Sequence, residues 1–319
     1  MKIVVTGALG HIGSRLTRTI SHLGGSIEMV LVDNLSTQRY CSLFDLPRIH
    51  QYRFVEADIL TSDLRSIFRG AEVVIHLAAI TDAVSSFDNP ENVEQVNLEG
   101  TKAVGQACAA NGCALFFPST TSVYGTQAVV VDEDCSPEEL RPQSPYAESK
   151  LAAENFLQEL ASREGLRFVV CRFGTIFGTS VGMRFHTAIN KFCWQAVMEQ
   201  PLTVWRTAYE QKRPYLDLSD AVKAVEFFVG NRLFDGRVYN VLTLNSTVRH
   251  IVETIQAIIP QLSVNFVDTQ IMNQLSYDVS SLRIRNMGFQ FSGSLSGGIA
   301  ETIALLKHAQ SGSVGSPPS

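Results

Sequence analysis

Ile3-Val4-Val5-Thr6-Gly7-Ala8-Leu9-Gly10-His11-Ile12-Gly13 decides how the rest of the chain is read. A short β-branched run ends in glycines spaced Gly-x-x-Gly-x-x-Gly, and an amphipathic stretch follows to about residue 23. The order strand, glycine turn, helix is what holding a dinucleotide requires. Gly7 allows a tight turn, Gly10 lets backbone approach a pyrophosphate, and Gly13 allows close helix packing. The helix N-terminus then favours the negative charge. Three glycines near a turn can also be purely structural, so the motif needs a partner. Asp33 supplies one, ending the next apolar run 20 residues after Gly13, where a ribose-binding carboxylate belongs. A carboxylate there repels a 2′-phosphate and favours NAD(H) over NADP(H). Its plainer role is to cap a turn, and Arg39 offsets its charge only by folding back.

Outward from that turn, short β-branched runs alternate with longer amphipathic stretches. Candidate strands are 2–6, 27–33, 53–56, 73–77, 114–118 and 168–172, with helices near 11–23, 62–69, 90–111 and 145–164. Repeated β-α units with apolar strands imply a parallel sheet covered on both faces, and right-handed crossovers wind it doubly. The expected fold class is α/β: a Rossmann-type doubly wound parallel sheet with a smaller C-terminal substrate-binding lobe. Residues 1–178 are expected to form the nucleotide-binding domain. Residues 179–309 form mainly the lobe, interleaved with the last strands of the main sheet. Within them, helices are read at 184–199, 219–230, 248–259 and 296–309, and strands at 202–205 and 238–242. The Gly/Ser/Pro-rich tail, 310–319, reads as disordered.

A second motif, Tyr146-Ala147-Glu148-Ser149-Lys150, lies on the 145–164 helix. Residues four apart share a helical face. A free phenol titrates near ~10, too high for a base at neutral pH. A neighbouring ammonium and a bound nicotinamide cation favour phenolate and tune Tyr146 toward proton transfer. Lys150 can also hydrogen-bond the nicotinamide ribose. Upstream, Ser119-Thr120-Thr121 follows a strand whose C-terminal end faces the ligand crevice of such a sheet. Thr120 is the hydroxyl placed to share a hydrogen bond with Tyr146 and a substrate oxygen. Tyr-x-x-x-Lys alone is common by chance; the glycine turn, Asp33 and the hydroxyl run give it weight. Together the motifs suggest hydride chemistry on an alcohol or its ketone. Asp58-Ile59 are read as flanking an adenine, and the strand end His76-Leu77-Ala78-Ala79 as letting a cofactor lie close to the sheet. His76 itself reads as a satisfied, partly buried histidine.

Composition bounds the alternatives. The 319 residues are 45% hydrophobic, enough for a sizeable core. Lys plus Arg number 26 against 31 Asp plus Glu, a formal charge of -5 without a basic block. This argues against nucleic acid as a partner. Cys41, Cys108, Cys113, Cys135, Cys171 and Cys193 lack C-x-x-C spacing. They read as reduced thiols of a cytoplasmic protein, and the sequence assigns no metal. The N-terminus runs straight into a strand pattern, so no signal peptide is expected. No apolar run approaches the ~18 residues of a membrane span.

Further motifs follow in order: Asp33-Asn34-Leu35-Ser36, His76-x-Ala78-Ala79, Asn97-x-x-Gly100-Thr101, Ser119 to Gly125 and Ser144-Pro145-Tyr146-x-x-x-Lys150. Arg172 to Gly178, Arg213 to Ala221 and Tyr239-Asn240-Val241 continue the series. To about residue 309 the chain resembles the extended short-chain dehydrogenase/reductases of the nucleotide-sugar epimerase/dehydratase family. The resemblance implies that Gly7, Gly10, His11, Ile12 and Gly13 bind NAD, with Asp33, Asn34, Asp58 and Ile59. Leu77, Ala78, Ala79, Asn97, Tyr146 and Lys150 complete that set. It implies Thr120, Tyr146 and Lys150 as the catalytic set, and substrate contacts from Thr120, Thr121, Thr175, Arg184, Trp205 and Arg213. In UDP-sugar 4-epimerases of this kind the tyrosine takes the proton of the sugar 4-hydroxyl and the C4 hydride passes to tightly held NAD. The 4-keto sugar turns over, and the hydride returns to its other face. The resemblance therefore implies NAD-dependent epimerisation of a nucleotide-diphosphate sugar at C4. It also implies a homodimer packed through the helices near 90–111 and 145–164.

Several positions depart from the family pattern or select within it. The 4,6-dehydratases resemble a pattern with Asp-Glu directly after the catalytic threonine; here Thr121-Ser122 stand there, and dehydration is disfavoured. Thr175 stands where many relatives have Asn, and Asp217 where relatives often have His. A second phosphate-binding arginine is expected near 270–277, but Thr269, Gln270 and Asn273 occupy the region; Arg184 or Arg206 are the candidates to replace it. Two other readings remain open. One is another NAD-dependent sugar reaction on the same scaffold, a net oxidoreductase or a uronic-acid decarboxylase. The other is a non-catalytic NAD-binding sensor.

Overall fold

The apolar runs fold as strands buried on both faces. A computed structural model describes residues 1–20, 23, 27–125, 130–268 and 276–307; the 310–319 tail lies outside them. The first half runs β1 (Lys2–Thr6), α1 (His11–Thr19), β2 (Glu28–Asp33), β3 (Gln51–Glu56), α2 (Leu64–Phe68) and β4 (Val73–His76). It continues with α3 (Pro90–Glu94), a π turn (Gln95–Glu99), α4 (Gly100–Asn111), β5 (Ala114–Thr120), β6 (Val130–Val131), α5 (Pro145–Glu164) and β7 (Phe168–Phe173). Among the described residues the main sheet has seven strands in the order β11-β7-β5-β4-β1-β2-β3, with β11 spanning Val238–Val241. Every neighbouring pair is parallel. Strand residues alternate between two cores, as a pleat of period 2 requires. Ile3, Val5, Met29, Leu31 and Phe116 join the core under α1 and α7 (Leu218–Gly230). Val4, Val30, Val32, Leu115 and Phe117 join the core under α4 and α5.

Helix α5 has the bounds its sequence signals. The Ser144 side chain accepts from Ala147 N, Pro145 opens the first turn, and Gly165 at φ 72° ends it. The 90–111 stretch is instead broken by the π turn, which turns Asn97 inward to 1% exposure. Such bulges recur at functional sites.

Beyond β7 a single Gly174 separates a strand that the sequence reading missed, β8 (Thr175–Phe177). A Cβ at Gly174 would stand 3.0 Å from Pro214 O, so the chain crosses there close against β10 (Lys212–Asp217). The second half then forms α6 (Ala188–Val197), β9 (Leu202–Trp205), α7, β12 (Leu244–Thr247), α8 (Val248–Gln256), β13 (Val264–Val267), β14 (Asp278–Val279), α9 (Leu282–Asn286) and α10 (Leu295–Leu306). Helices α6, α8 and α10 pack with β9 around Phe192, Ile251 and Ile299 as a third core. The expected helix at 184–199 starts only at Ala188. Residues before it are held by side chains instead: Thr187 Oγ1 donates to Ile176 O at 3.3 Å, and Asn190 Nδ2 to Arg184 O at 3.1 Å. Strand β11 returns to the main sheet beside β7.

Candidate active site

Strands β1 and β4 are neighbours, yet the chain leaves them toward opposite edges of the sheet. At such a switch point loops diverge and leave a crevice beyond the strand C-termini. A cavity of about 610 Å³ lies there, lined by the glycine turn, the ends of β2, β4 and β5, and the start of α5.

The glycines divide by role. Gly7 sits at φ 66°, and a Cβ on it would lie 2.5 Å from Ala78 N. A Cβ on Gly13 would lie 2.5 Å from Ala8 O. Both are glycine because the protein's own packing demands it. A Cβ on Gly10 would meet only Gly7 O, at 3.3 Å. Its missing side chain leaves room in the cavity rather than in the fold.

Asp33 caps the turns on either side of it and also faces the cavity. Its Oδ2 accepts from Leu9 N at 3.1 Å and its Oδ1 from Leu35 N at 3.0 Å, while the residue lines the cavity. Asn34 donates to Asp58 Oδ2 at 2.8 Å, and Asp58 and Ile59 form the neighbouring wall. Leu77, Ala78 and Ala79 line the opposite side, with Ile12 at the turn.

At the other end stand Thr120, Tyr146 and Lys150. The Tyr146 phenol is hydrogen-bonded to Thr120; burial raises its pKa, while that bond and the Arg184 charge pull it back. The expected downward tuning by Lys150 is not what the structure shows. The ammonium, 3% exposed, donates to Pro118 O at 2.9 Å and lies 4.6 Å from the Phe117 ring centroid. Burial lowers its pKa to about 8 against the raising charge of Glu154.

Glu154, one turn beyond Lys150, is buried and bound by Arg172 through Nε (3.1 and 3.2 Å) and Nη2 (2.7 Å). Ser119 also donates to it. Arg172 Nη1 donates to Tyr124 Oη at 3.0 Å, and Tyr124 to Asn240 Oδ1 at 2.8 Å. The network ties α5, β5, β7 and β11 beneath the Thr120 and Tyr146 hydroxyls. The sequence reading quoted Arg172, Tyr124 and Asn240 only as motif members and missed Glu154; its place at i+4 from Lys150 was the available signal.

Several expected contacts lie elsewhere. His11 lines the cavity, but its Nε2 is engaged with Gly178 O at 3.1 Å, and burial lowers its pKa to about 3. The Asn97 amide is consumed by Ile80, accepting from its N at 2.8 Å and donating to its O at 2.9 Å, so it shapes the wall from behind. Thr121 turns away to Phe173 O at 3.2 Å, whereas Ser122 lines the cavity. Trp205 and Arg213 lie outside the lining; Arg213 donates to Gln211 Oε1 at 2.9 Å and stacks over Tyr277. Thr175 and Arg184 do line it, whereas Arg206 is paired with Asp268 outside. The missing-arginine segment, Thr269, Gln270 and Asn273, lies outside the described residues. Asp217 caps α7, its Oδ1 accepting from Ser219 N at 2.8 Å. His76 is satisfied as read, bonded to Thr6 Oγ1 (2.7 Å) and Thr101 Oγ1 (3.2 Å). Ser36, Thr37, Arg39 and His186 also line the cavity, and none was assigned a site role from sequence.

Comparison with known proteins fits this geometry. The model of the NAD dependent epimerase/dehydratase family matches residues 3–241. The chain belongs to that family. An uncharacterized UDP-glucose epimerase, YtcB of Bacillus subtilis, is 31% identical over 249 residues, covering 76% of each chain. A trifunctional UDP-glucose 4,6-dehydratase/UDP-4-keto-6-deoxy-D-glucose 3,5-epimerase/UDP-4-keto-L-rhamnose-reductase of Arabidopsis thaliana is 27% identical over 322 residues. That match takes in 94% of this chain but only 46% of the plant protein. The structure of MoeE5 in complex with UDP-glucuronic acid and NAD superposes with a TM-score of 0.83 at 25% identity, covering 97% of this chain and 100% of that one. NAD is the cofactor of this family member, and the residues present fit it. The open face of Gly10 and the first turn of α1 suit the diphosphate, and the Asp33 carboxylate suits a ribose diol. Among the described residues no helix is long and apolar enough to cross a membrane, and no group of three or more His, Cys, Asp or Glu could hold a metal.

Proposed function

We propose that this chain epimerises a nucleotide-diphosphate sugar at C4. The observation that carries the reading is one cavity lined by Asp33 at one end and by Thr120, Tyr146 and Lys150 at the other. Bound NAD supplies a reversible hydride acceptor whose positive charge offsets the effect of burial on Tyr146. The chain's residues handle the proton. Tyr146 Oη, as phenolate, takes the proton of the sugar 4-hydroxyl and later returns it to the 4-keto oxygen, so the cycle is proton-neutral. Thr120 holds that phenol through its hydrogen bond. Lys150 places a buried cation one turn away.

The cavity favours this outcome over dehydration. Elimination of water needs an acid and a base beside the sugar, but Ser122 presents a hydroxyl and Thr121 points to Phe173. The lining carboxylates Asp33 and Asp58 belong to the nucleotide end, and Asp82 caps its own turn, accepting from Val84 N at 3.0 Å. Thr175 remains as a substrate contact. Residues 1–178 serve NAD and 179–309 mainly the substrate, in a cytoplasmic setting that the six unpaired cysteines support. A homodimer through α4 and α5 is part of this reading; sedimentation of a monomer at micromolar concentration rejects it.

Proton NMR with UDP-, dTDP-, GDP- and CDP-sugars and a trace of NAD tests the activity. The expected result is a C4 stereoisomer without net NADH. Stoichiometric NADH or loss of carbon dioxide overturns it in favour of an oxidoreductase or a decarboxylase.

A further inference from the structure

The glycine turn is covered from outside. Residues 178–184 leave β8 and run back over it. His11 Nε2 meets Gly178 O at 3.1 Å, and Gly182 N donates to Ser14 Oγ at 2.9 Å. A Cβ on Gly182 would stand 2.3 Å from Leu9 O and 2.7 Å from Gly10 O, so backbone lies directly on backbone. Beyond Gly182, Arg184 crosses the cavity to Thr81 Oγ1 on the other wall, and its Nε is buried without a hydrogen-bond partner. Arg39 enters the same cavity from the loop after β2, and His186 from the strap side. The carboxylates facing them are Asp33 toward Arg39 and Asp82 toward Arg184 and His186. Burial and the Arg39 charge both lower the pKa of Arg184. Two guanidiniums over a helix N-terminus make a site for a polyanion.

We propose that residues 178–186 form a strap over the diphosphate of the bound dinucleotide, with Arg184 and Arg39 binding its oxygens opposite the glycine turn. The turn offers backbone N–H groups from below, and the strap offers cations from above. The dinucleotide then leaves only when Arg184 releases Thr81 and the strap lifts from Leu9 and Gly10. That keeps one NAD resident through many turnovers. The inference rests on NAD as the cofactor and is independent of which sugar reaction follows.

The test uses the full chain with Arg184→Ala, Arg39→Ala and the double variant, each checked for an unchanged Tm. Dissociation constants are measured for NAD, ADP-ribose, adenosine and UDP, with NADH release followed by stopped-flow fluorescence. Each single variant is expected to weaken NAD and ADP-ribose by on the order of tenfold and to speed NADH release, leaving adenosine unchanged. NAD affinity and release within about twofold of wild type would overturn the strap. So would an equal loss for adenosine, which marks a disturbed ribose loop, or a loss confined to UDP, which moves Arg184 to the substrate. None of these readouts needs turnover, so failure here is distinct from failure of the epimerase reading.

Discussion

In the proposed mechanism Tyr146 carries the chemistry, and its protonation is the quantity that its neighbours set. Replacing it with Phe removes the proton acceptor but leaves the NAD contacts. Tyr146→Phe is expected to bind NAD nearly as wild type by calorimetry while turnover falls by orders of magnitude; near-normal turnover would refute the mechanism. Glu154 acts one step removed, as a positioning residue. Its charge raises the pKa of Lys150, which burial lowers to about 8. Without that charge the ammonium is lost at lower pH, so Glu154→Gln is expected to move the alkaline limb of the kcat profile downward. It also leaves Arg172 buried without its ion partner, and Tm is expected to fall, since breaking such a pair costs about 3–5 kcal/mol. An unshifted limb would make Glu154 purely structural.

At the scale of elements the glycine turn separates fold from function. Gly10 has ordinary extended backbone, with φ -69° and ψ -176°. Gly10→Ala is therefore expected to keep Tm and weaken NAD binding. Gly13→Ala drives a methyl into Ala8 O and is expected to lower stability by about 1–3 kcal/mol in chemical denaturation. Equal losses of stability in the two would contradict this division. Strand–turn–helix units were legible because strand alternation and α5's own caps are local signals. Asp33, Asp58, Thr120, Tyr146 and Lys150 reach the cavity because each sits at or just past a strand end or in the first two turns of α5, which topology sends to one rim. Trp205 and Arg213 do not, because family order places a residue on an element but does not aim its side chain. The end of the strap, from Arg184, was read as helix because Arg184 and Phe185 sit in an amphipathic pattern, while the tertiary contacts to Ser14 and Thr81 that hold the strap in place leave no periodic trace.

For the whole molecule, buried histidines set the acid limit. His11 and His76 have pKa values lowered to about 3 by burial, against about 6.5 when unfolded. Folding therefore requires both neutral. Their contribution is full above pH 6.5 and declines as pH falls toward 3, where the unfolded chain binds more protons. Each is expected to cost on the order of 1 kcal/mol per pH unit across that window. His186, lowered to about 4 by burial and then the Arg184 charge, adds to the slope between pH 7 and pH 5; denaturation at those two pH values reads it, and His76→Asn is expected to remove about a third of it. A flat profile would mean that these rings are hydrated in solution.

The return of β11 to the side of β7 also has a consequence for how the protein is made. The two strands are consecutive in space but separated in the chain by the segment from Phe173 to Val238. At about 5–20 residues per second, a ribosome needs roughly 3–13 seconds to deliver that stretch. Throughout this interval the nascent sheet ends in β7, six fully buried residues whose outer backbone groups have nothing to pair with. An open apolar edge is a template for intermolecular pairing. Chains halted or cut before Val238 should therefore aggregate or be held by chaperones, even though the glycine turn and Tyr146 have already been synthesised.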